Sequence, residues 1–144
     1  HEAATRFKMA PEFVPAAGVD SWQLSCPAVL SQAPLVASVE IFQEAGIDKL
    51  RAKSIELNRY LDFLLRRFEG SIASITPEDA RGCQRSLVVC DDTLEAKDVF
   101  RKLQALNVIG DWREPNVIRM APVPLYNSFE DVFDFAERLA IALE

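Results

Sequence analysis

Cysteine, histidine, positive charge and long apolar runs are all scarce in this chain, and each shortage argues against a class of function. The three cysteines, Cys26, Cys83 and Cys90, are odd in number and lack metal-ligand spacing, which speaks against both a disulfide scaffold and a zinc site. Buried thiols are expected instead. Lys and Arg total 16 against 22 Asp and Glu, a formal net charge of −6. Neutralising a phosphate backbone needs clustered basic residues, so a general nucleic-acid binder is disfavoured and the charge serves solubility. No apolar stretch approaches the roughly 18 to 20 residues of a membrane helix. The start, His1-Glu2-Ala3-Ala4, lacks the basic and apolar regions of a signal peptide. A soluble, cytosolic protein is expected, and the chain holds no internal repeat or low-complexity tract.

What is present suits one globular domain. The 144 residues are 49% hydrophobic and 26% charged, enough to bury about 68 to 70% of the unfolded surface around a single core. A first residue that is histidine and not methionine suggests a piece of a larger protein. From His1 to about Ser25 periodicity is weak and Pro11, Pro15 and Gly18 punctuate the chain, which predicts an irregular arm (1–25) lying over another surface. Residues 26–144 read as the folded domain.

A helix is expected from Pro27 to Ala45, mostly buried, stopped at Gly46 and kinked or divided by Pro34. The span Ile47–Phe68 is the clearest helix, with Ile47, Leu50, Ser54, Leu57, Leu61, Leu64, Leu65 and Phe68 on one stripe. Short strands follow at Ser71–Thr76 and Arg85–Cys90, then a helix over Thr93–Leu106 capped by Asp91 or Asp92. Strands at Val108–Trp112 and Val117–Met120 flank the turn Arg113-Glu114-Pro115-Asn116. A last helix over Ser128–Leu143 is expected to bury Val132, Phe133 or Phe135, Ala136, Leu139 and Leu143. This order predicts an α+β two-layer domain, with helices on one face of a small, mostly antiparallel sheet.

The most informative stretch is Val117-Ile118-Arg119-Met120-Ala121-Pro122-Val123-Pro124-Leu125-Tyr126-Asn127-Ser128-Phe129-Glu130-Asp131-Val132. It sets one arginine at the end of a strand, stiffens the exit with two prolines, and offers Asn127 or Ser128 as a helix cap with Asp131 in capping-box position. The run resembles the C-terminal signature of the kynureninases. Thr5-Arg6-Phe7-Lys8-Met9, Gln23-Leu24-Ser25 followed by Pro27, Ala37-Ser38-Val39-Glu40-Ile41-Phe42, Arg81-Gly82-Cys83-Gln84 and Asp111-Trp112-Arg113-Glu114-Pro115 resemble segments of the same family in the same order, so the likeness covers nearly the whole chain.

The resemblance implies the small domain of a fold-type I pyridoxal-phosphate enzyme. Such an enzyme is a homodimer that hydrolyses L-kynurenine, or 3-hydroxykynurenine, to anthranilate, or 3-hydroxyanthranilate, and L-alanine in tryptophan catabolism and NAD biosynthesis. It also implies that the Schiff-base lysine lies in a large domain upstream of His1, so that this chain alone is inactive. Lys8, Lys49, Lys53, Lys97 and Lys102 are expected on polar helix faces or in the arm, without the buried setting that imine chemistry needs.

By the same resemblance Arg119 grips the substrate's α-carboxylate, for which guanidinium offers a planar fork. That role requires that its side chain not be turned inward and neutralised by a neighbouring Asp or Glu. Cys26 stands where the family usually carries Asn or Thr facing the substrate ring and cofactor, and Ser25 beside it can add a hydroxyl. His1 matches a histidine that follows the aromatic segment reaching toward the partner subunit's cofactor phosphate, and it is expected among the substrate-binding residues. Arg85 and Arg113 read as solvated charges near strand ends. Two other classes compete: a non-catalytic binding or dimerisation module that kept the small-domain fold, and another fold-type I lyase or desulfurase with a nucleophilic cysteine.

Overall fold

Leucines three, four and seven residues apart along Ile47–Leu65 make a helix with one apolar side, and that side builds the core. The computed structural model describes Lys8, residues 11–23 and residues 25–144. Their contacts divide the chain into a unit ending at Glu44 and a second unit, Ala45–Glu144.

In the first unit, a short 3-10 turn at Gly18–Trp22 is followed by α1, Val29–Ala45. Pro34 lies inside α1 and does not divide it. It lacks one N–H in the second turn, where the helix already starts from Ala28, whose carbonyl accepts from Ser31 and Gln32 at 3.0 Å each. The expected burial of α1 is not seen. None of its residues is buried, and Leu30 is 90% exposed.

The second unit holds α2 (Ile47–Leu65), extended by a 3-10 turn at Arg66–Phe68, then β1 (Ile72–Ser74), β2 (Arg85–Val89), α3 (Ala96–Ala105), β3 (Asp111–Arg113), β4 (Val117–Met120) and α4 (Phe129–Leu143). Gly70, at φ 95°, turns the chain out of the α2 extension into β1. The strands pair antiparallel in the order β1-β2-β4-β3. Leu57, Leu61 and Leu64 of α2, Val99 and Leu103 of α3, and Val132, Phe135, Ala136 and Leu139 of α4 form one core with Ile72, Leu87, Val89 and Ile118 of the sheet. The α+β architecture is as expected, and of the two aromatic alternatives in α4 it is Phe135 that is buried, while Phe133 is 43% exposed. Among the described residues, no helix is long and apolar enough to cross a membrane.

Two helix ends differ in how well they were foreseen. Asp91 does not cap α3. Its carboxylate accepts from the N–H and hydroxyl of Thr93 at 2.9 and 2.6 Å, which closes a turn, and the helix begins three residues later than expected. At its C-terminus, Asn107 takes φ 61°, Val108 N–H reaches Leu103 C=O at 2.9 Å and Asn107 N–H reaches Gln104 C=O at 3.0 Å, a Schellman cap. That cap consumes residues 106–108, so β3 starts at Asp111 and not at Val108. The α4 start follows expectation: Ser128 Oγ accepts from Asp131 N–H at 3.1 Å, and the Asp131 carboxylate accepts from Ser128 N–H at 2.7 Å. Replacing Ser128 with alanine should cost about 1 kcal/mol of stability. Urea denaturation measures it, and no change would mean that the box is not formed in solution.

Candidate functional site

Strand alternation decides where the arginine of the signature run points. Ile118 faces the core at 3% exposure, so Arg119 projects from the opposite face of the sheet. Its cross-strand neighbours are Ser86 on β2 and Asp111 on β3. Trp112, between Asp111 and Arg113, sits against Phe100 of α3 with ring centroids 5.8 Å apart. Its indole N–H donates to Glu114 at 3.0 Å. With Trp112 held on the helix side, Asp111 and Arg113 emerge beside Arg119.

The three side chains are joined. Arg119 Nε donates to Asp111 Oδ2 at 3.0 Å, and Arg119 Nη2 donates to the same oxygen. Arg113 Nη2 lies 2.9 Å from that oxygen as well. The hydrogen bond from Arg119, with the charges of Arg113 and Arg119 added, holds the Asp111 carboxyl below its usual value against the opposing effect of burial. A carboxyl lowered in this way stays ionised at neutral pH, and the pairing is lost only as pH falls through the depressed value. Gly110 keeps this corner tight: a β-carbon there would stand 3.1 Å from the Arg119 carbonyl oxygen.

The requirement placed on Arg119 is therefore met in one part and not in the other. Its side chain is not turned inward, being 30% exposed on the face away from the core, but a neighbouring aspartate does pair with it. Its strand is interior to the sheet, since β4 lies between β2 and β3. Among the described residues its Nη1 has no hydrogen-bond partner. Ser25 and Cys26 are exposed in the first unit, before α1, and Gln23 donates to the Ser25 carbonyl at 2.9 Å. His1 lies outside the described residues. Cysteine burial was also misjudged: Cys90 is exposed and Cys83 only half-buried.

Two groups escaped sequence reasoning. Asp111 is one; counting outward from the Glu114–Asn116 turn pairs it with Arg119, and that count is available in the sequence. The other is a charge cluster on the core side. Arg85 is not a solvated strand-end charge but 3% exposed, because it shares its strand face with Leu87 and Val89. It pairs with Asp62 of α2, which also takes Arg81 at 2.6 Å.

A cleft of about 400 Å³ opens on the helix side between Val108, Met120, Tyr126, Asp134 and Arg138. None of the candidate residues lines it. Its two acidic groups are already engaged, Asp131 in the α4 cap and Asp134 with Arg138 at 3.4 Å. Among the described residues no group of three or more His, Cys, Asp or Glu could hold a metal. The five lysines give no imine site either, since none is buried. The lysines of this chain thus offer no buried amine to the aldehyde of pyridoxal phosphate.

Fold and site together define a small α+β domain that presents two guanidiniums around one carboxylate on a sheet face. Residues 50–139 match the family model of the kynureninase C-terminal domain, and the chain belongs to that family. It is 48% identical over 142 residues to a kynureninase of Stenotrophomonas maltophilia (strain K279a), covering 96% of this chain and 34% of that protein. A kynureninase of Xanthomonas campestris pv. campestris (strain B100) is 49% identical over the same shares. One of Xanthomonas oryzae pv. oryzae (strain PXO99A) is 49% identical over 138 residues, 94% of this chain and 33% of that protein. The chain spans about a third of the length of these curated relatives.

Proposed function

We propose that this chain is the C-terminal portion of a kynureninase. The complete protein is a cytoplasmic homodimer that hydrolyses L-kynurenine, or 3-hydroxykynurenine, to anthranilate, or 3-hydroxyanthranilate, and L-alanine. Its pyridoxal phosphate is anchored by a lysine outside these residues, and this portion is inactive by itself. Membership of the family supports the reaction. The charge balance on the sheet supports the role of this portion: Arg119 and Arg113 against Asp111 leave one positive charge uncompensated, where an amino-acid carboxylate supplies the missing anion. A charge-assisted guanidinium–carboxylate pair contributes about 1.5 to 3 kcal/mol when shielded, or about one to two decades of affinity. Cys26 and Ser25 are assigned to the substrate ring side, with Cys26 also near the cofactor, and His1 to the substrate. A thiol donates hydrogen bonds poorly, so Cys26 bears on the choice between kynurenine and its 3-hydroxy form.

The complete, cofactor-loaded protein given L-kynurenine is expected to release anthranilate and alanine in equal amounts. Absence of anthranilate would overturn the enzyme reading in favour of a binding or dimerisation module. That second reading draws on α1, whose Val29, Leu30, Val36 and Val39 are all more than half exposed.

A further inference from the structure

We propose that Asp111 is the positioning residue for Arg119, fixing the plane of its guanidinium so that Nη1 and the outer edge of Nη2 are presented to the substrate carboxylate. The inference rests on the reading of Arg119 as the carboxylate ligand and adds a residue to it. An arginine carries several rotatable bonds, and a free one must lose that freedom when it grips a ligand. Here much of it is already lost. Asp111 stands opposite Arg119 in the β3–β4 register, and its Oδ2 accepts from both Nε and Nη2. Rotation about the last side-chain bonds would break both contacts.

Asp111 is itself held. Trp112 beside it is packed on Phe100 and bonded to Glu114, and Lys97 lies over the same indole at 5.8 Å. Arg113, on the same oxygen of Asp111, offsets the repulsion that a lone carboxylate would exert on an incoming one. Orientation is therefore supplied without making the face negative. A mere competitor for Arg119 would act in the opposite sense, because removing it would free the guanidinium and tighten substrate binding. The two roles differ in the sign of one measurement.

In the complete enzyme, Asp111→Ala is expected to raise KM for kynurenine about tenfold, the lower end of the cost of losing an orienting partner in metal sites, with kcat much less affected. Asp111→Asn should recover part of the loss, because its amide oxygen can still accept from Nε, and it serves as the informative variant if the alanine protein folds poorly. In the Arg119→Ala background, Asp111→Ala should add nothing, since the pair acts as a unit. A KM that falls or stays unchanged in both Asp111 variants, while Arg119→Ala raises it, overturns the positioning role alone. A KM unmoved by Arg119→Ala overturns the carboxylate reading, and the positioning role with it.

Discussion

Asp62→Ala is expected to destabilise the Ala45–Glu144 unit by about 3 to 5 kcal/mol, the range found when one partner of a buried ion pair is removed. Arg85 is 3% exposed and the Arg81 side chain 12%, and Asp62 is the carboxylate that both contact. Three of their nitrogens, Arg81 Nη1, Arg85 Nε and Arg85 Nη1, are buried without a partner among the described residues. Removing Asp62 would strand two guanidiniums beside Leu61 and Leu87, with desolvation uncompensated. Asp62 keeps 27% of its side chain exposed, so water softens the loss and the lower end of the range is the better figure. A second substitution tests the cause. Arg85→Leu added to Asp62→Ala should restore part of the stability, since it replaces the more buried guanidinium by an apolar side chain while Arg81 stays unpaired. Equilibrium denaturation reads both. A loss of under about 1 kcal/mol for Asp62→Ala, the scale of a surface pair, would show that the cluster is solvated in solution.

The second large effect is on catalysis. Arg119→Ala in the complete enzyme should lower kcat/KM for kynurenine at least tenfold, the smaller of the two decades that a shielded guanidinium–carboxylate pair is worth, while cofactor absorbance stays unchanged. With Arg119 gone, Arg113 and Asp111 balance each other and the sheet face loses its net positive charge. Arg119→Lys should recover only part of the activity, because an ammonium keeps the charge but not the planar fork or the Nε contact that Asp111 uses. Full activity in Arg119→Ala would reject the carboxylate role.

What was legible in the sequence was local. The Ser128–Asp131 box lies within four residues, and the core stripe of α2 repeats at helical spacing, so both were readable without knowing what they pack against. Arg85 was misread because its partner is 23 residues away on α2. Its parity with Leu87 and Val89 pointed inward, yet a charge at a strand end is ordinarily solvated and only the helix supplies a reason for burial. The late start of α3 and of β3 has the same origin on a smaller scale: Asp91 is taken by Thr93 and residues 106–108 by the helix cap. The exposure of α1 was illegible because apolar composition reports that a surface will be covered, not which chain covers it. At the candidate site, Arg119 was singled out through its surrounding motif. Asp111 was missed because strand register, not residue type, makes it a partner.

The central claim is that Arg119 receives the α-carboxylate of the substrate. The most direct measurement compares inhibition of the complete enzyme by a kynurenine analogue bearing that carboxylate and by one lacking it, in the unaltered protein and in Arg119→Ala. The account predicts that the unaltered enzyme binds the carboxylate-bearing analogue at least tenfold more tightly and that the preference vanishes in the variant. A preference that survives the loss of Arg119 undiminished would place the carboxylate elsewhere.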